Sequence, residues 1–266
     1  PYPEDLRQKV VNAGQAIRLN SREWLELSES ITEVHAQAAL ACDPSAQAEL
    51  VGSHGQTVWH RPPQKNHRGA SWQILQAPLL AELLKRPVVH DFRAADLALG
   101  GQGAPLVPMA DAALLGRVGG WRGVLNLGGI ANLTLIPPRS GPDRRASVMG
   151  WDCGPANSLI DLAVEQISKG KLAFDHDGSI AASGHPHTTT IERWLKEAFF
   201  QLPPPKSTGR EQFGLADLEQ RLKELPKLST ANRVATLTAF SAAVVAQDLD
   251  NLRIRNLVRP LELIVA

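Results

Sequence analysis

The sequence predicts an α/β fold in which helices flank a mixed β-sheet. Short apolar runs bounded by glycine or proline alternate along the chain with longer segments whose apolar residues recur at helical spacing. The chain has 266 residues, 43% of them hydrophobic, which suffices for a sizeable core in one large or two small domains. No fixed-period repeat and no low-complexity tract competes with this interpretation.

Helices are predicted where apolar residues fall on one face of a helical repeat. Ser21 is expected to cap the second helix, with Glu23 and Glu26 near its start, where carboxylates interact favourably with the helix dipole. The predicted helices span residues 4–13, 21–41, 79–85, 93–99, 106–115, 157–168, 189–200, 216–225 and 232–252.

Strands are predicted at short apolar runs. They span residues 49–53, 72–75, 87–90, 122–127, 133–136, 147–151 and 261–266. We expect the last four to lie in one sheet, with helix 157–168 packed against it. The loop around 116–121 is the predicted domain boundary, which gives a first lobe at 1–118 and a second lobe at 119–266.

Charge and cysteine content exclude several classes of function. The formal net charge is +1, so the chain has no electrostatic footprint for nucleic acid or a membrane surface. No run approaches the ~20 apolar residues of a membrane span. Cys42 and Cys153 are far apart in sequence, which is typical of a reducing compartment such as the cytoplasm. The spacing of His54, His60 and His67 does not fit a zinc site.

A glycine-rich run at 126–134 is the first candidate binding feature. Gly128 and Gly129 separate two apolar runs, so the segment predicts a strand, a tight turn and a second strand. Paired glycines expose backbone N–H groups, which lets an anion such as a phosphate approach closely. A plain hairpin turn without a ligand is the commoner use of such a pair.

Asp152 is the candidate catalytic residue. It follows an apolar strand and precedes a Gly-Pro turn that opens a helix. A single carboxylate on a constrained turn beside a phosphate site suits a phosphotransferase, which needs one base near one phosphoryl group. The alternative is that Asp152 only caps the helix or shapes the turn.

Further polar residues crowd the loops after the predicted strands. Ser53, His54 and Gln56 could bind the hydroxyl groups of a sugar, and a capped turn is their structural alternative. Arg93 lies two residues after Asp91 and could bind a carboxylate or phosphate. An ion pair between these two residues on a solvated turn is the commoner arrangement.

The loop at 205–211 carries two cations, Lys206 and Arg210, around small hydroxyl residues. It is not a P-loop, because the glycine-rich lead and the Gly-Lys-Ser/Thr order are missing. A solvated basic loop is the alternative interpretation.

Six segments of the chain resemble, in order, the anhydro-N-acetylmuramic acid kinase family. They are residues 52–57, 91–93, 100–108, 126–132, 150–157 and 205–211, followed by Phe213. The family is similar to sugar kinases, Hsp70 and actin. The resemblance therefore implies a two-lobed, actin-like (ribonuclease H-like) fold with mixed sheets flanked by helices, whose lobes close over a cleft.

The resemblance implies ATP-dependent phosphorylation of 1,6-anhydro-N-acetylmuramic acid with hydrolytic opening of the anhydro ring, which yields N-acetylmuramic acid 6-phosphate in peptidoglycan recycling. ATP and Mg²⁺ are the implied cofactors. Neither nucleic acid nor a membrane is an expected partner, and a homodimer is a possible assembly. Asp152 matches the family's catalytic aspartate. The residues implied on the nucleotide side are Gly128, Gly129, Asn132 and Gly154. The residues implied on the substrate side are Ser53, His54, Gln56, Asp91, Arg93 and Gln102.

The chain also departs from the family's pattern. The family's opening phosphate loop would precede Pro1, and its second glycine-rich run would follow Ala266. Arg93 is followed by two alanines where the family often has further arginines. We therefore expect an internal fragment, truncated at both ends, with little or no kinase activity and modest solubility on its own. Two alternatives stay open: a non-catalytic, truncated sugar-kinase-like binding protein, and a related kinase with another sugar substrate.

Overall fold

Contacts within the chain divide it into two units, Pro1–Gly103 and Ala104–Ala266. The structure is a computed structural model that describes residues 2–14, 18–63, 65–209, 211–256 and 258–266. Helices and mixed sheets alternate along these residues, which confirms the predicted α/β class. The predicted domain boundary after residue 118 falls within the second unit and stays a prediction.

The first unit combines helices with two pairs of short strands. Its helices are α1 (Glu4–Gly14), α2 (Ser21–Cys42), α3 (Ala77–Leu84) and α4 (Ala94–Ala98). Its strands are β1 (Val51–Ser53), parallel to β4 (Val88–His90), and β2 (Gln56–Arg61), antiparallel to β3 (Ala70–Ile74). A small core of this unit consists of the buried residues Leu6, Ala13, Leu27, Ile31, Val58 and Ile74.

The sequence predicts no strand at residues 56–61, and the expectation that Gln56 lies in a loop after the first strand is wrong. Residues 56–61 form β2, whose backbone pairs with β3 and whose Val58 and His60 side chains are buried. The strand forms because pairing satisfies the backbone groups while two side chains reach the interior, although the local sequence is mostly polar.

The helix α2 begins at Ser21, but its cap is Asn20 and not the expected Ser21. Asn20 Oδ1 accepts hydrogen bonds from the amides of Arg22 and Glu23 at 3.0 and 3.1 Å. The Glu23 carboxylate in turn accepts a hydrogen bond from the Asn20 amide at 2.7 Å. This reciprocal capping box satisfies amide groups that the first turn leaves without partners.

The second unit is built around a four-stranded sheet. Its strands are β5 (Arg122–Leu127), β6 (Ile130–Ile136), β7 (Met149–Pro155) and β8 (Glu262–Val265). The spatial order is β7-β6-β5-β8, with β8 parallel to β5 and the other pairs antiparallel. This confirms that the four predicted strands share one sheet.

Helices cover the sheet of the second unit and form a large core with it. They are α5 (Pro108–Leu115), α6 (Ser158–Ile167), α7 (Ser179–Ala182), α8 (Thr188–Trp194), α9 (Ala198–Gln201), α10 (Leu215–Glu224) and α11 (Thr230–Asn256). Leu159 and Val164 of α6 are buried in one cluster with Leu133 of β6, as expected for a helix packed on the sheet. The predicted single helix at 189–200 is wrong, because the backbone at Glu197 is extended and separates α8 from α9.

Candidate active site

Asp152 lies inside a strand and not on a turn after it, which corrects the sequence-based placement. The strand β7 continues to Pro155, and its register with β6 shifts by one residue: Asn132 pairs with Asp152, and Ala131 pairs with Gly154. Cys153 is the extra residue of this bulge. A bulge re-aims neighbouring side chains, and here the side chains of Asp152 and Cys153 are both buried although they are consecutive.

The carboxylate of Asp152 is held by the loop at 205–209. Its Oδ2 accepts hydrogen bonds from the Ser207 hydroxyl at 3.0 Å and from the Thr208 amide at 2.9 Å. The Asp152 amide donates to the carbonyl oxygen of Lys206 at 2.9 Å. Hydrogen bonds from hydroxyl and amide groups favour the ionised form of a carboxylate and fix its orientation. Asp152 is therefore a buried carboxyl group, 5% exposed, that is held in a fixed orientation.

A buried ion pair lies beside this loop. Lys206 Nζ is 3.0 Å from Asp248 Oδ1, and both side chains are 3% exposed. Asp248 Oδ2 accepts a hydrogen bond from Trp151 Nε1 at 3.0 Å, which links helix α11 to strand β7. Lys206 also lies over the ring of Phe199, 5.0 Å from its centroid. The interpretation of this loop as a solvated basic segment is wrong for Lys206, while Arg210 lies outside the described residues.

Burial changes the ionisation of this network. Burial raises the pKa of Asp248 above its usual range, although Lys206 acts in the opposite direction. Burial raises the pKa of the Cys153 thiol well above its ordinary value, and the negative charge of Asp248 adds to that effect. Cys153 is therefore a protonated, inert thiol at neutral pH, because only the thiolate is a nucleophile.

The glycine pair forms the predicted tight turn between β5 and β6 and is tied to the start of α6. The carbonyl oxygen of Gly129 accepts the amides of Ala156 and Ser158, each at 3.0 Å, and that of Gly128 accepts the amide of Asn157 at 3.0 Å. The turn and the end of the strand that carries Asp152 are thus adjacent. The Gly128 amide, however, donates to Asn126 Oδ1 at 3.0 Å, so it already has a partner. Phosphate binding by Gly128 and Gly129 stays a prediction.

The other two nucleotide-side residues also lie along β6 and β7. Asn132 is half-buried between Asn126 of β5 and Asp152 of β7 in the sheet register. Gly154 has φ +152°, and a Cβ at this position would lie 2.7 Å from Cε1 of Phe200. The glycine is thus required by packing. Nucleotide contacts of Asn132 and Gly154 stay predictions.

In the first unit, the substrate-side candidates Ser53 and Gln56 belong to a shared polar network, and His54 lies next to it in sequence. Ser53 Oγ is 3.4 Å from His35 Nδ1, and Gln56 Oε1 accepts a hydrogen bond from the Tyr2 hydroxyl at 3.1 Å. The Tyr2 hydroxyl also lies 3.0 Å from His35 Nε2, so it joins both sides of the network. His54 Nε2 lies 3.2 Å from the hydroxyl oxygen of Thr57.

Sequence reasoning missed Tyr2 and His35. The one usable signal is that His35 lies four residues after Ile31, on the face of α2 that faces the core. Burial lowers the pKa of His35, and burial together with the nearby Arg93 lowers the pKa of His54, with Asp91 opposing. Both rings are therefore neutral at pH 7 and can donate and accept hydrogen bonds.

The remaining substrate-side candidates are Asp91, Arg93 and Gln102, for which the structure shows fewer contacts with the other candidates. Ser53 is in register with His90 across the parallel pair β1 and β4, so Asp91 follows at the same end of the pair. Asp91 is exposed and has φ +56°. Arg93 Nη1 lies 3.4 Å from Ser71 Oγ, and Gln102 is half-buried in the loop after α4. Substrate binding by these residues stays a prediction.

Comparison with known proteins adds the family. Residues 1–259 match the family described as anhydro-N-acetylmuramic acid kinase. The chain is 98% identical over 266 residues to a protein of that name from Prochlorococcus marinus (strain MIT 9303), covering all of this chain and 70% of the relative. It is 96% identical to the protein of the same name from strain MIT 9313 and 68% identical to one from Synechococcus sp. (strain CC9902), with 70% of each relative covered.

Among the described residues, no helix is both long and apolar enough to cross a membrane. The extent of the family match and the identity to these relatives lead to one conclusion. This chain belongs to the anhydro-N-acetylmuramic acid kinase family.

Proposed function

We propose that this chain carries the catalytic base of an ATP-dependent kinase that opens 1,6-anhydro-N-acetylmuramic acid with water and phosphorylates it, as peptidoglycan recycling requires. The product is N-acetylmuramic acid 6-phosphate. The observation that supports this best is the buried carboxylate of Asp152, oriented by Ser207 and Thr208. Its strand ends beside the turn at Gly128 and Gly129. Family membership supports the kinase activity.

The reaction breaks the bond between C1 and O6 of the anhydro sugar. Water attacks the anomeric carbon C1 and gives its proton to the Asp152 carboxylate. The departing O6 attacks the γ-phosphorus of ATP, and the bond from that phosphorus to the bridging oxygen of ADP breaks. The phosphoryl group captures the charge that develops on O6, so no separate acid is needed. One carboxylate base therefore suffices.

The surroundings of Asp152 suit this role. A general base must be ionised before it can take a proton, and the hydroxyl and amide donors of the loop favour the ionised form. They also fix the direction of the carboxylate, which matters because a base must lie within hydrogen-bond reach of the proton that it takes. A residue that merely capped α6 would lie at the helix start, whereas Asp152 lies in the middle of β7.

The proposal divides the remaining candidates by substrate. The sugar would be bound by Ser53, His54, Gln56, Asp91, Arg93 and Gln102. The phosphates of ATP would be bound near Gly128, Gly129, Asn132 and Gly154. No cluster of three or more His, Cys, Asp or Glu side chains that could hold a metal occurs among the described residues. Mg²⁺ would be bound mainly through the phosphates of ATP, as is usual for this ion.

Two finer points belong to the same proposal. A cytoplasmic location is supported by Cys42 and Cys153, which are both free thiols. A homodimer is the proposed assembly, which sedimentation velocity over a concentration series tests directly.

The test of the base replaces Asp152 with asparagine in a hybrid enzyme. The hybrid is the relative from strain MIT 9303 with this chain in place of its matching residues, since the relative is longer and 98% identical. Asp152→Asn keeps size and shape but cannot take the proton. We expect kcat to fall by about 10³–10⁴-fold, with KM for sugar and ATP changed by less than about threefold. Turnover is measured by coupled ADP release.

The matched control is Asp177→Asn, which makes the same chemical change at an exposed position of the second unit. It should leave kcat unchanged. A loss below about tenfold in Asp152→Asn would make Asp152 a structural residue. Ring opening is tested separately: if N-acetylmuramic acid, already open, is phosphorylated as fast as the anhydro sugar, the hydrolytic half of the proposal is wrong.

A further inference from the structure

The loop that holds Asp152 has a buried anchor of its own. Ser207 and Thr208 supply donors to the carboxylate, and the residue before them, Lys206, reaches Asp248 on α11 at 3.0 Å. The backbone carbonyl of Lys206 also accepts the amide of Asp152. One residue therefore joins the strand edge, the loop and the helix behind them.

We propose that the ion pair of Lys206 and Asp248 is a positioning device for the catalytic carboxylate. Neither residue touches the reacting atoms. The pair fixes the backbone of the loop, and the loop places the Ser207 hydroxyl and the Thr208 amide on Asp152. The inference rests on the proposed role of Asp152 as the base.

A role in positioning the loop explains this buried ion pair better than a contribution to folding stability does. Replacing a buried ion pair with apolar residues of similar volume is often neutral or stabilising, because both ions lose hydration when they are buried. Lys206 and Asp248 are nonetheless both 3% exposed. The second oxygen of Asp248 is fixed by the indole of Trp151, the residue directly before Asp152. Both ends of the pair thus lead to the segment around the catalytic carboxylate.

A second fixed point supports the interpretation of the loop as a rigid support. Thr208 Oγ1 donates to Gln212 Oε1 at 2.8 Å, and Phe213 stacks on Phe200 in the core, with centroids 5.6 Å apart. The donors to Asp152 therefore lie between two anchors, the ion pair and the aromatic cluster. Loss of the ion pair would remove the side-chain anchor before these donors, where the backbone hydrogen bond between the Asp152 amide and the Lys206 carbonyl would remain.

Among the residues that the structure describes, four titratable groups face one another at this place. Asp152 and Cys153 come from β7, Lys206 from the loop and Asp248 from α11. Removing the charges of both Lys206 and Asp248 leaves the local net charge unchanged. A change in the titration of Asp152 in that double variant would then come mainly from its hydrogen bonds, since hydrogen bonds to a carboxylate favour its charged form.

The decisive variant is the double substitution Lys206→Met with Asp248→Asn in the hybrid enzyme. Asparagine keeps an acceptor for Trp151, and methionine keeps an unbranched chain over Phe199. We expect kcat to fall about 10–100-fold, with KM for both substrates changed by less than about threefold, because a base displaced by about 1 Å loses much of its effect. The acid limb of the kcat–pH profile should move up by about 0.5–1 pH unit as Asp152 loses donors.

A matched control removes another ion pair that is also bonded to an indole. Arg193 lies 3.3 Å from Glu224, and Glu224 accepts a hydrogen bond from Trp194 Nε1. The double variant Arg193→Met with Glu224→Gln should keep kcat and the acid limb unchanged. If Lys206→Met with Asp248→Asn does not fold, Asp248→Asn alone, which keeps the bond to Trp151, should show the same fall in kcat, and an unchanged kcat in that variant would overturn the positioning role.

A second readout needs no turnover and uses the 266-residue chain itself. The chain is labelled with ¹³C-carboxyl aspartate, and the Asp152 signal is identified by its loss in Asp152→Asn. Its titration midpoint should rise in the double variant by the same 0.5–1 pH unit, roughly, that is expected of the acid limb. An unchanged midpoint together with an unchanged kcat would overturn the positioning role. An active Asp152→Asn enzyme would overturn the proposed base instead, while the midpoint would still report on positioning.

Discussion

The two units hold their buried polar groups in different ways. In the first unit, the His60 side chain is buried on β2, and the rings of His35 and His54 are partly buried. In the second unit, the buried pair of Lys206 and Asp248 has opposite charges. Burial favours the neutral form of a titratable group, which is the deprotonated form of a histidine and the protonated form of an aspartate. Similar burial therefore makes the two units respond to acid in opposite directions.

The direction of each pKa shift determines whether acid stabilises or destabilises the unit. Burial, with help from Arg93, lowers the pKa of His60 to about 4, so the folded first unit resists protonation that the unfolded chain accepts near pH 6.5. Stability from this histidine is therefore present above pH 6.5 and is lost as the pH falls toward 4. Burial raises the pKa of Asp248, so the folded second unit binds this proton more readily than the unfolded chain does. Acidification through that window thus favours the folded second unit.

The largest expected effect comes from Lys206→Met alone, which leaves Asp248 buried without its cation. Breaking a buried pair by removing one partner costs about 3–5 kcal/mol of unfolding free energy. The loss should shrink as the pH falls, because protonated Asp248 needs no counter-charge. Urea unfolding of the variant and of the unchanged chain at pH 5 and pH 7 measures the loss of unfolding free energy at each pH. A loss of equal size at both pH values would mean that Asp248 is neutral in the variant throughout that range.

Replacing one glycine with alanine in each unit compares how much space the packing leaves for an added Cβ. Gly154→Ala should cost about 2–4 kcal/mol, because its Cβ would lie 2.7 Å from Phe200 and its φ of +152° disfavours a side chain. The matched change in the first unit is Gly52→Ala, whose Cβ would lie 3.5 Å from Phe92, an ordinary contact. It should cost less than about 0.5 kcal/mol. Thermal unfolding measures the loss of unfolding free energy in each variant. Equal losses in the two variants would contradict the comparison.

The pH dependence of the first unit tests the role of His60. Between pH 6.5 and 4 we expect at most about 3 kcal/mol of unfolding free energy to be lost through this side chain. His60→Gln should flatten that slope, and His67→Gln, at an exposed position, should not. Urea unfolding across this range, followed by hydrogen exchange of residues 56–61, assigns the effect to the first unit. A slope that survives in His60→Gln would assign it to other groups.

The smallest effect is expected at the cap of α2. Asn20→Ala removes the acceptor for the amides of Arg22 and Glu23 and should cost about 1 kcal/mol. Asn20→Asp is the control, since aspartate accepts the same bonds and should retain stability. If Asn20→Ala unfolds at the same urea concentration as the unchanged chain, the capping box contributes nothing measurable.

Local pattern was enough to predict most of the elements. The pair Gly128 and Gly129 between apolar runs predicts the hairpin of β5 and β6, and the start of α6 follows from the apolar spacing after Asn157. The position of Asp152 was found from its motif, but its placement on a turn was wrong. The bulge at Cys153 depends on the pairing of β7 with β6, which no local sequence feature records.

The sequence by itself determined the α/β class, the four strands of one sheet and the candidate carboxylate, because periodicity and turn residues act over a few neighbouring positions. Only the tertiary structure decided what holds that carboxylate. Thr208 meets Asp152 across 56 positions of the chain, and Lys206 meets Asp248 across 42. Such contacts form because sheet, helix and loop pack together and bury charges that must then find partners. Lys206 thus belongs to the interior, although its own segment has the composition of a solvated loop.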